Sequence, residues 1–360
     1  MENKPLRVYV DAKWRVEGLG ISALLYPFWG TPSFANLPFA AATWRHGFDA
    51  KYLVLVDTPD EADYLLLPHD CWRVKKLRPD ILADITDASR KYKKPILIDA
   101  SGDASGKIDV PNSRILRINQ YRFELPKNEI TVPVQCEDLL ESYCDGALQV
   151  REKSGVPSVG FVGWGRLGGL QRWRSLTKEV PLRIAALFNT KLHTKEKGVF
   201  WRERAARIFN LSPRVRADFI IRPSYSGHAG TMVGDAQENR RAFVQNILGT
   251  DYTLVVKGDA NAATRFYEVL SLGRIPVLID TACVLPIERL IDYRECCVVI
   301  DCKDLARAPA ILADLHAKLS SEQFVDMQRK ARHIYETYLR YDVFTRYLVE
   351  ELLSSKPTIT

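Results

Sequence analysis

The segment from Tyr252 to Ile300 constrains the fold more than any other part of the chain. It contains, in order, an apolar run, a polar loop with Gly258, an amphipathic stretch at 262–272 and a second apolar run. Glycine allows the sharp turn that such a loop needs, and Asn261 is placed to cap a helix that begins after it. The order strand, loop, helix, strand predicts a parallel α/β unit.

Two charged side chains fall in the first turns of the predicted helix. A helix N-terminus carries unpaired N–H groups and a positive dipole end, so Arg265 is unfavourable there unless an anion lies nearby. Glu268 follows one turn later and can accept two hydroxyls, as a ribose offers. The pair predicts a nucleotide diphosphate site, with Arg265 on phosphate and Glu268 on ribose. An ordinary surface Arg–Glu pair is the alternative.

The same segment carries a longer motif: a basic residue and Gly, Thr-Arg, a Glu three residues on, Gly-x-Ile-Pro-Val, Leu-Pro and Ile-Asp. The matching positions are Lys257, Gly258, Thr264, Arg265, Glu268, Gly273, Ile275, Pro276, Val277, Leu285, Pro286, Ile291 and Asp292. This motif resembles the signature of exostosin-like glycosyltransferases, glycosyltransferase family 47, with Tyr293 in place of the usual Trp. A weaker similarity covers residues 61–68. Gly102-Asp103 stands where the family has Gly-x-Asp/Asn-His, without the His.

The resemblance implies an α/β fold of the GT-B type, in which two Rossmann-like domains face each other across a cleft. It also implies an inverting hexosyl- or pentosyltransferase that moves a sugar from a nucleotide diphosphate sugar to a glycan hydroxyl. We expect a UDP-sugar as donor and no further cofactor. The chain has no Asp-x-Asp pair, so we expect no metal. Arg265, Lys257, Arg222 and the amides near Gly258 would then neutralise the leaving diphosphate.

Strands and helices alternate in two successive blocks. A polar, turn-rich segment at 151–157 separates them, which predicts an acceptor domain at 1–155 and a donor domain at 156–340. The last predicted helix carries an apolar stripe that must be buried. We therefore expect residues 341–360 to cross back and join the first domain.

An inverting transfer needs one general base near the acceptor hydroxyl, and we expect it in the first domain. Parallel sheets bind ligands beyond the carboxyl ends of their strands. The carboxylates at predicted strand ends are Asp11, Glu17, Asp70 and Asp103. Their spacing does not rank them; Glu17 is our first choice, with Asp103 as the second catalytic candidate.

A literal GxGxxG sequence follows the first strand of the second block, at 163–168. Such a loop can bind a dinucleotide, so an NAD(P)-dependent oxidoreductase is an alternative. That site requires an acid at the end of the next strand; Glu179 has about the right spacing but precedes the apolar run at 182–188. We prefer a loop in which Gly163 and Gly165 let amides approach the sugar nucleotide. A catalytically inactive exostosin-like assembly partner is the third hypothesis.

The composition sets the remaining limits. A net charge of +7 and a pI near 8.9 suit nucleotide diphosphates and an anionic surface without requiring nucleic acid. The seven cysteines lack zinc-site spacing and are typical of a reducing compartment. No run of about 18 apolar residues is present, and the chain enters a strand near its start. We expect a cytoplasmic protein, peripheral at the inner membrane face, with a glycan or lipid-linked saccharide acceptor.

Overall fold

The computed structural model describes residues 4–33, 37–224 and 229–354. The described ranges omit the start of a helix that the sequence predicts at 34–46, His228, which the sequence offers as a catalytic candidate in the loop after Arg222, and the last residues of the segment 341–360. None of the helices in the described ranges is both long enough and apolar enough to cross a bilayer.

Six parallel strands form the first sheet, in the order β2-β1-β3-β4-β5-β6. They are β1 Leu6–Tyr9, β2 Leu53–Val56, β3 Tyr64–Leu67, β4 Ile96–Asp99, β5 Ser113–Arg117 and β6 Glu129–Thr131. The helices in this part of the chain are α1 Tyr26–Trp29, α2 Ala40–Thr43, α3 Cys71–Leu77, α4 Pro79–Tyr92 and α5 Leu139–Tyr143.

Five parallel strands form the second sheet, in the order β11-β10-β9-β7-β8. They are β7 Ser158–Trp164, β8 Arg216–Arg222, β9 Tyr252–Val255, β10 Ile275–Asp280 and β11 Val298–Asp301. The helices are α6 Gly169–Phe188, α7 Gly198–Leu211, α8 Ala236–Gly249, α9 Thr264–Ser271, α10 Ala308–Lys318, α11 Ser321–Ile334 and α12 Tyr341–Ser354. A π-helical turn, Tyr335–Leu339, joins the last two.

The two sheets share one topology. Counted from its own first strand, the second sheet has the order 2-1-3-4-5, and the first sheet has the same order with a sixth strand added. In such a doubly wound sheet, ligands bind where the strand order reverses, at the carboxyl ends of its first and third strands. In the second sheet these are β7 and β9. The predicted fold class, two Rossmann-like domains, is confirmed.

The final helix packs on the first sheet. Tyr341, Phe344 and Leu348 of α12 lie in one apolar cluster with Leu6 and Leu53 of β1 and β2. The hydroxyl of Tyr64 donates to the carbonyl of Leu352. The chain therefore crosses from the second sheet back to the first over its last helix.

A hydrogen-bonded junction joins the carboxyl ends of the two sheets. Asn119, which follows β5, accepts from the backbone N–H of Asn261 at 2.8 Å. The side chain of Asn261 donates to the carbonyl of Gln120 and accepts from the hydroxyl of Thr281, at the end of β10. Tyr121 then forms an antiparallel bridge with Cys283. The carboxyl edges of the two sheets thus face each other, as in a GT-B fold.

One local expectation was wrong. Asn261 does not cap α9, because its side chain is committed to the junction; Ala263 occupies the N-cap position. The apolar run at 182–188, which follows Glu179, forms the last third of α6. The strand that follows β7 is β8, and it ends at Arg222.

The first residue of α7 fixes the position of the loop after β9. A Cβ atom on Gly198 would lie 2.1 Å from the carbonyl oxygen of Gly258 and 2.5 Å from that of Lys257. Both contacts are with backbone, so rotation of a side chain cannot relieve them. Glycine is therefore required at this position for the loop to keep its place.

We expect Gly198→Ala to lower the free energy of unfolding by about 2 kcal/mol or more, the cost of overpacking against backbone. Gly249→Ala is the matched control, because a Cβ at that last residue of α8 meets nothing within 4 Å. Urea unfolding of both variants tests the contact. Equal stability of the two would contradict it.

Candidate active site

Arginine side chains lie at the carboxyl ends of three neighbouring strands of the second sheet. Arg222 is the last residue of β8. Arg265, from α9, donates to the carbonyl of Val162 in β7. Arg202, from α7, donates to the carbonyl of Trp164 at the end of β7 and to that of Lys257 after β9. Two of the three therefore meet at the point where the strand order reverses.

The electrostatics of Arg265 reflect this crowding. Burial, together with the positive charges of Arg202 and Arg222, lowers the pKa of Arg265, and Glu268 only partly opposes the shift. Its guanidinium lies 4.1 Å from the ring centre of Phe161, and its Nε has no hydrogen-bond partner in the described residues. The charge of Arg265 is thus only partly compensated, and an anion placed here would stabilise it.

The glycine-rich loop has a packing role at its first two glycines. A Cβ on Gly163 would lie 2.7 Å from Nη2 of Arg265, and one on Gly165 would lie 3.3 Å from the side chain of Ile221. Gly168 precedes α6, and its Cβ position is open. Gly163 therefore makes room for the arginine, while the amino end of α6 faces free space beside it.

The structure does not place Glu179 where a dinucleotide site requires an acidic residue, at the end of the strand after β7. Glu179 lies within α6, and burial raises the pKa of its carboxyl. The strand end at which a ribose-binding acid would stand is occupied by Arg222, which donates to the carbonyl of Asn239. The oxidoreductase interpretation is therefore not favoured.

Lys257 is held inside the protein. Its ammonium donates to the hydroxyl of Tyr121 and to the carbonyl of Thr194, at 2.9 and 2.8 Å. Burial lowers its pKa to about 8, although Glu179 and other acids oppose the shift. Lys257 therefore connects the two domains rather than projecting toward solvent as a phosphate ligand. The adjacent Gly258 donates to the carbonyl of Ala262, which closes the loop before α9.

The first residue of α9 is exposed. Thr264 begins the helix, and its N-cap residue, Ala263, has no side-chain acceptor for the helix N–H groups. A crevice runs from this end of α9 to Thr281 after β10. The helix dipole therefore ends at an accessible surface beside Arg265, an arrangement that favours anions.

Glu268 faces Arg240 instead of Arg265. Its carboxylate lies 2.6 Å from Nη1 of Arg240. The other nitrogen of that guanidinium, Nη2, lies 2.8 Å from the carboxylate of Glu137. The side chains of Arg240 and Glu268 are 13% and 10% exposed, so this is a largely buried network. Burial opposes the charge of Arg240, but the two glutamates raise its pKa. Glu268 thus has a structural partner that the i, i+3 spacing did not indicate.

Asp103 lies in the first-domain loop that faces this edge. Arg117 donates to the carbonyls of Ala104 and Gly106, and Asn119 donates to the carbonyl of Asp103, so β5 holds the loop. The side chain is solvent-accessible, yet partial desolvation raises its pKa, and the negative charge of Asp259 raises it further. Asp103 therefore lies within electrostatic range of the second domain.

The other three carboxylates have different surroundings. Asp11 and Asp70 accept backbone N–H groups at the starts of a short 3₁₀ helix and of α3. Glu17 is exposed in a turn whose flanks are held by His69: Nε2 accepts from the N–H of Val16, and Nδ1 lies 3.1 Å from the carbonyl of Gly20. Burial lowers the pKa of His69, consistent with a neutral ring in this position.

One group of potential metal ligands occurs in the described part of the chain, at His46, Asp138 and Glu141. Arg332 pairs with Asp138 at 2.6 Å, and Arg340 pairs with Glu141 at 3.1 Å. Cationic side chains already compensate these carboxylates. The group is therefore an ion-pair network in which the carboxylates already have cationic partners.

Sequence reasoning missed three residues of this region. The sequence pattern singles out none of Arg202, Asp259 and Asn119. No local pattern marks them, because each matters through a partner far along the chain: Trp164 for Arg202, Asp103 for Asp259, and Asn261 for Asn119.

Comparison with known proteins supports the motif at 257–293. The exostosin GT47 domain matches residues 209–315. The chain is 25% identical over 107 residues to "Probable arabinosyltransferase ARAD1" of Arabidopsis thaliana, covering 30% of this chain and 24% of the relative. It is 26% identical over 102 residues to the exostosin-1 homolog of Caenorhabditis elegans, covering 28% and 26%. The matches thus span about a quarter of these relatives.

Solved structures give only loose overall similarity. Anabaena HepE in complex with UDP has a TM-score of 0.40 and 10% identity over 97% of this chain and 99% of that one. Residues 209–315 are thus similar to the exostosin domain of glycosyltransferase family 47, as the sequence motif indicated.

Proposed function

We propose that the chain is an inverting glycosyltransferase that transfers a sugar from a UDP-sugar to a hydroxyl of a glycan or lipid-linked saccharide. The observation that carries the proposal is the group of Arg202, Arg222 and Arg265 at the carboxyl ends of β7, β8 and β9. Ligands of doubly wound sheets bind at this edge, and the cluster suits the diphosphate of such a donor. The names of the relatives, arabinosyltransferase and exostosin, agree with sugar transfer.

The arginines would stabilise the leaving diphosphate without a metal. Charge develops on the β-phosphate as the glycosidic bond breaks, and fixed cations near that position lower the barrier. Arg265 and Arg202 are held by strand-end carbonyls, so little reorganisation is needed when the charge forms. The amino ends of α6 and α9 add their dipoles at the same edge. Metal independence and the inverting course are parts of this proposal.

Asp103 is the better-placed general base. It lies on the acceptor side, and it interacts electrostatically with Asp259 in the loop after β9. A carboxyl with a raised pKa is a stronger base once it is ionised. Glu17 remains the second choice, since its turn has no such link to the second domain among the described residues. In this arrangement Asp103 takes the proton of the acceptor hydroxyl as that oxygen attacks the sugar.

We also propose that the protein is cytoplasmic and that the transferred sugar is a hexose or a pentose. The donor would be the only small molecule that the reaction requires besides the acceptor. An inactive assembly partner with the same fold would bind the nucleotide and yet neither hydrolyse nor transfer the sugar. The assay of the first prediction below therefore separates the two.

We expect Arg265→Ala to lower kcat/KM by about 10²–10³-fold, the effect of removing one preorganised electrostatic group. The measurement is slow UDP-sugar hydrolysis, with and without EDTA, beside the rise in Tm that UDP causes. Arg294→Ala, an exposed arginine outside the strand-end group, is the control. Near-native turnover of a folded Arg265→Ala protein would contradict the assignment. Loss of wild-type turnover in EDTA would contradict metal independence.

Glu268→Ala tests whether this carboxylate supports Arg240 or binds ribose. We expect the free energy of unfolding to fall by about 3 kcal/mol, because a largely buried cation loses one of its two partners. Glu288→Ala, which breaks the more exposed pair with Arg122, should cost about 1 kcal/mol or less. Unchanged stability with a large loss of UDP affinity would assign Glu268 to the ribose.

The pH profile tests Asp103. A general base must be ionised, so kcat/KM should fall as the pH drops through the raised pKa of this carboxyl. Asp259→Asn removes one negative charge that raises this pKa, so the acid limb should move to lower pH. Asp103→Asn should abolish turnover and leave UDP binding intact. An acid limb that Asp259→Asn leaves unmoved would contradict the role.

A further inference from the structure

Helix α6 exposes its most apolar side to solvent, whereas helices of globular domains usually bury that side. Six large apolar residues face outward, and their spacing places them along one side of the helix: Leu170, Trp173, Val180, Ile184, Leu187 and Phe188. Trp173 is 70% exposed, Leu187 76% and Phe188 89%. We call these six residues the outward stripe.

The side of α6 that packs on the protein is less apolar than the side that faces water. Ser175 and Ala186 are its buried residues. Leu176 and Leu182 are half-buried, and Leu176 packs against the apolar cluster that contains Phe200. Amphipathic helices of soluble domains have the opposite arrangement, with the apolar side inward. An exposed apolar area of this size marks an interaction surface.

The positive charge of α6 and its flanking residues indicates that the partner of this surface is anionic. Between Trp164 and Lys197 the chain has eight Lys and Arg but only two Glu, a net charge of +6 against +7 for all 360 residues. Arg166, Arg174, Lys178 and Lys191 are exposed in this segment. Glu196 is buried between Arg183 and Arg204, and Glu179 is half-buried. Within residues 164–197, the outward stripe is thus accompanied by exposed cations, and neither acid of that segment is exposed.

We propose that α6 docks on an anionic lipid surface through the outward stripe. A helix with aromatic and aliphatic residues on one side and Lys or Arg along its flanks lies in the plane of the membrane interface. Trp173 and Phe188 would enter the headgroup boundary, while Arg174 and Lys178 would meet lipid phosphates.

A second copy of the chain fits this surface poorly. A two-fold dimer places the same face against itself, so the cations of one α6 would meet those of the other. The remainder of the chain has a net charge of only +1 and therefore no large acidic excess with which to receive the helix. An anionic bilayer supplies both an apolar interior and the opposite charge.

The test is co-sedimentation of the full chain with vesicles. We expect binding to phosphatidylcholine vesicles that contain phosphatidylglycerol, weak binding to pure phosphatidylcholine, and loss of binding in high salt. Trp173→Ser with Leu187→Ser should reduce the partition coefficient at least tenfold. Arg174→Gln with Lys178→Gln should reduce it about fivefold for each charge.

Matched variants control for apolarity and for charge. Leu77→Ser with Leu211→Ser removes two exposed apolar residues elsewhere, and Lys75→Gln with Lys76→Gln removes two exposed cations from α3. Both should bind like the wild type, and all variants should keep their Tm and the Tm rise with UDP. Absence of wild-type binding to anionic vesicles, or equal loss in the controls, would overturn the proposal. A dimer in light scattering that Trp173→Ser with Leu187→Ser dissolves would assign the stripe to a second copy.

Discussion

The repulsion that Arg202 and Arg222 exert on Arg265 is the interaction on which the rest of the candidate active site depends. Burying like charges side by side costs stability unless their surroundings compensate them. Strand-end carbonyls and the ring of Phe161 provide part of that compensation. Glycine at position 163 lets the guanidinium of Arg265 approach the strand. The remaining part is left for an anion, so binding of a diphosphate would stabilise the folded chain.

The junction at Asn119 and Asn261 fixes the position of the Asp103 loop, on the acceptor side, relative to the loop before α9, on the donor side. Asn119 holds the backbone of Asp103 with its amide nitrogen and the N–H of Asn261 with its amide oxygen. One side chain therefore positions the loop of the proposed base and the loop before α9. Helix α11 packs on the second sheet, and the next helix, α12, packs on the first. The chain that leaves the second domain is therefore also attached to the first domain.

The sequence predicted what depends on local pattern. Apolar runs and glycine loops predicted two successive α/β blocks, and the motif at 257–293 assigned Arg265 to a phosphate site. It could not predict the partners of Asn261 and Glu268, because capping and i, i+3 pairing are local rules and both residues are engaged by distant segments. Nor did the apolar run at 182–188 reveal that it belongs to a helix with exposed apolar residues, since such a helix breaks the rule that apolar residues turn inward.

The exposed apolar side of α6 connects the proposed sugar transfer with the proposed docking on lipid. Helix α6 starts at Gly169, a few residues after Trp164 ends β7 at the cluster of arginines. Its 20 residues extend about 30 Å, so a docked α6 would hold the carboxyl edge of the second sheet within that distance of the lipid headgroups. An anionic surface repels a nucleotide diphosphate only within roughly a Debye length, about 8 Å at physiological ionic strength. Because a docked α6 would lie flat, with Leu170 of the outward stripe at its amino end, the donor site would stand close to the headgroups. The positive charges of Arg202, Arg222 and Arg265 would offset that repulsion at the site itself, and a lipid-linked acceptor could reach the facing edge of the first sheet.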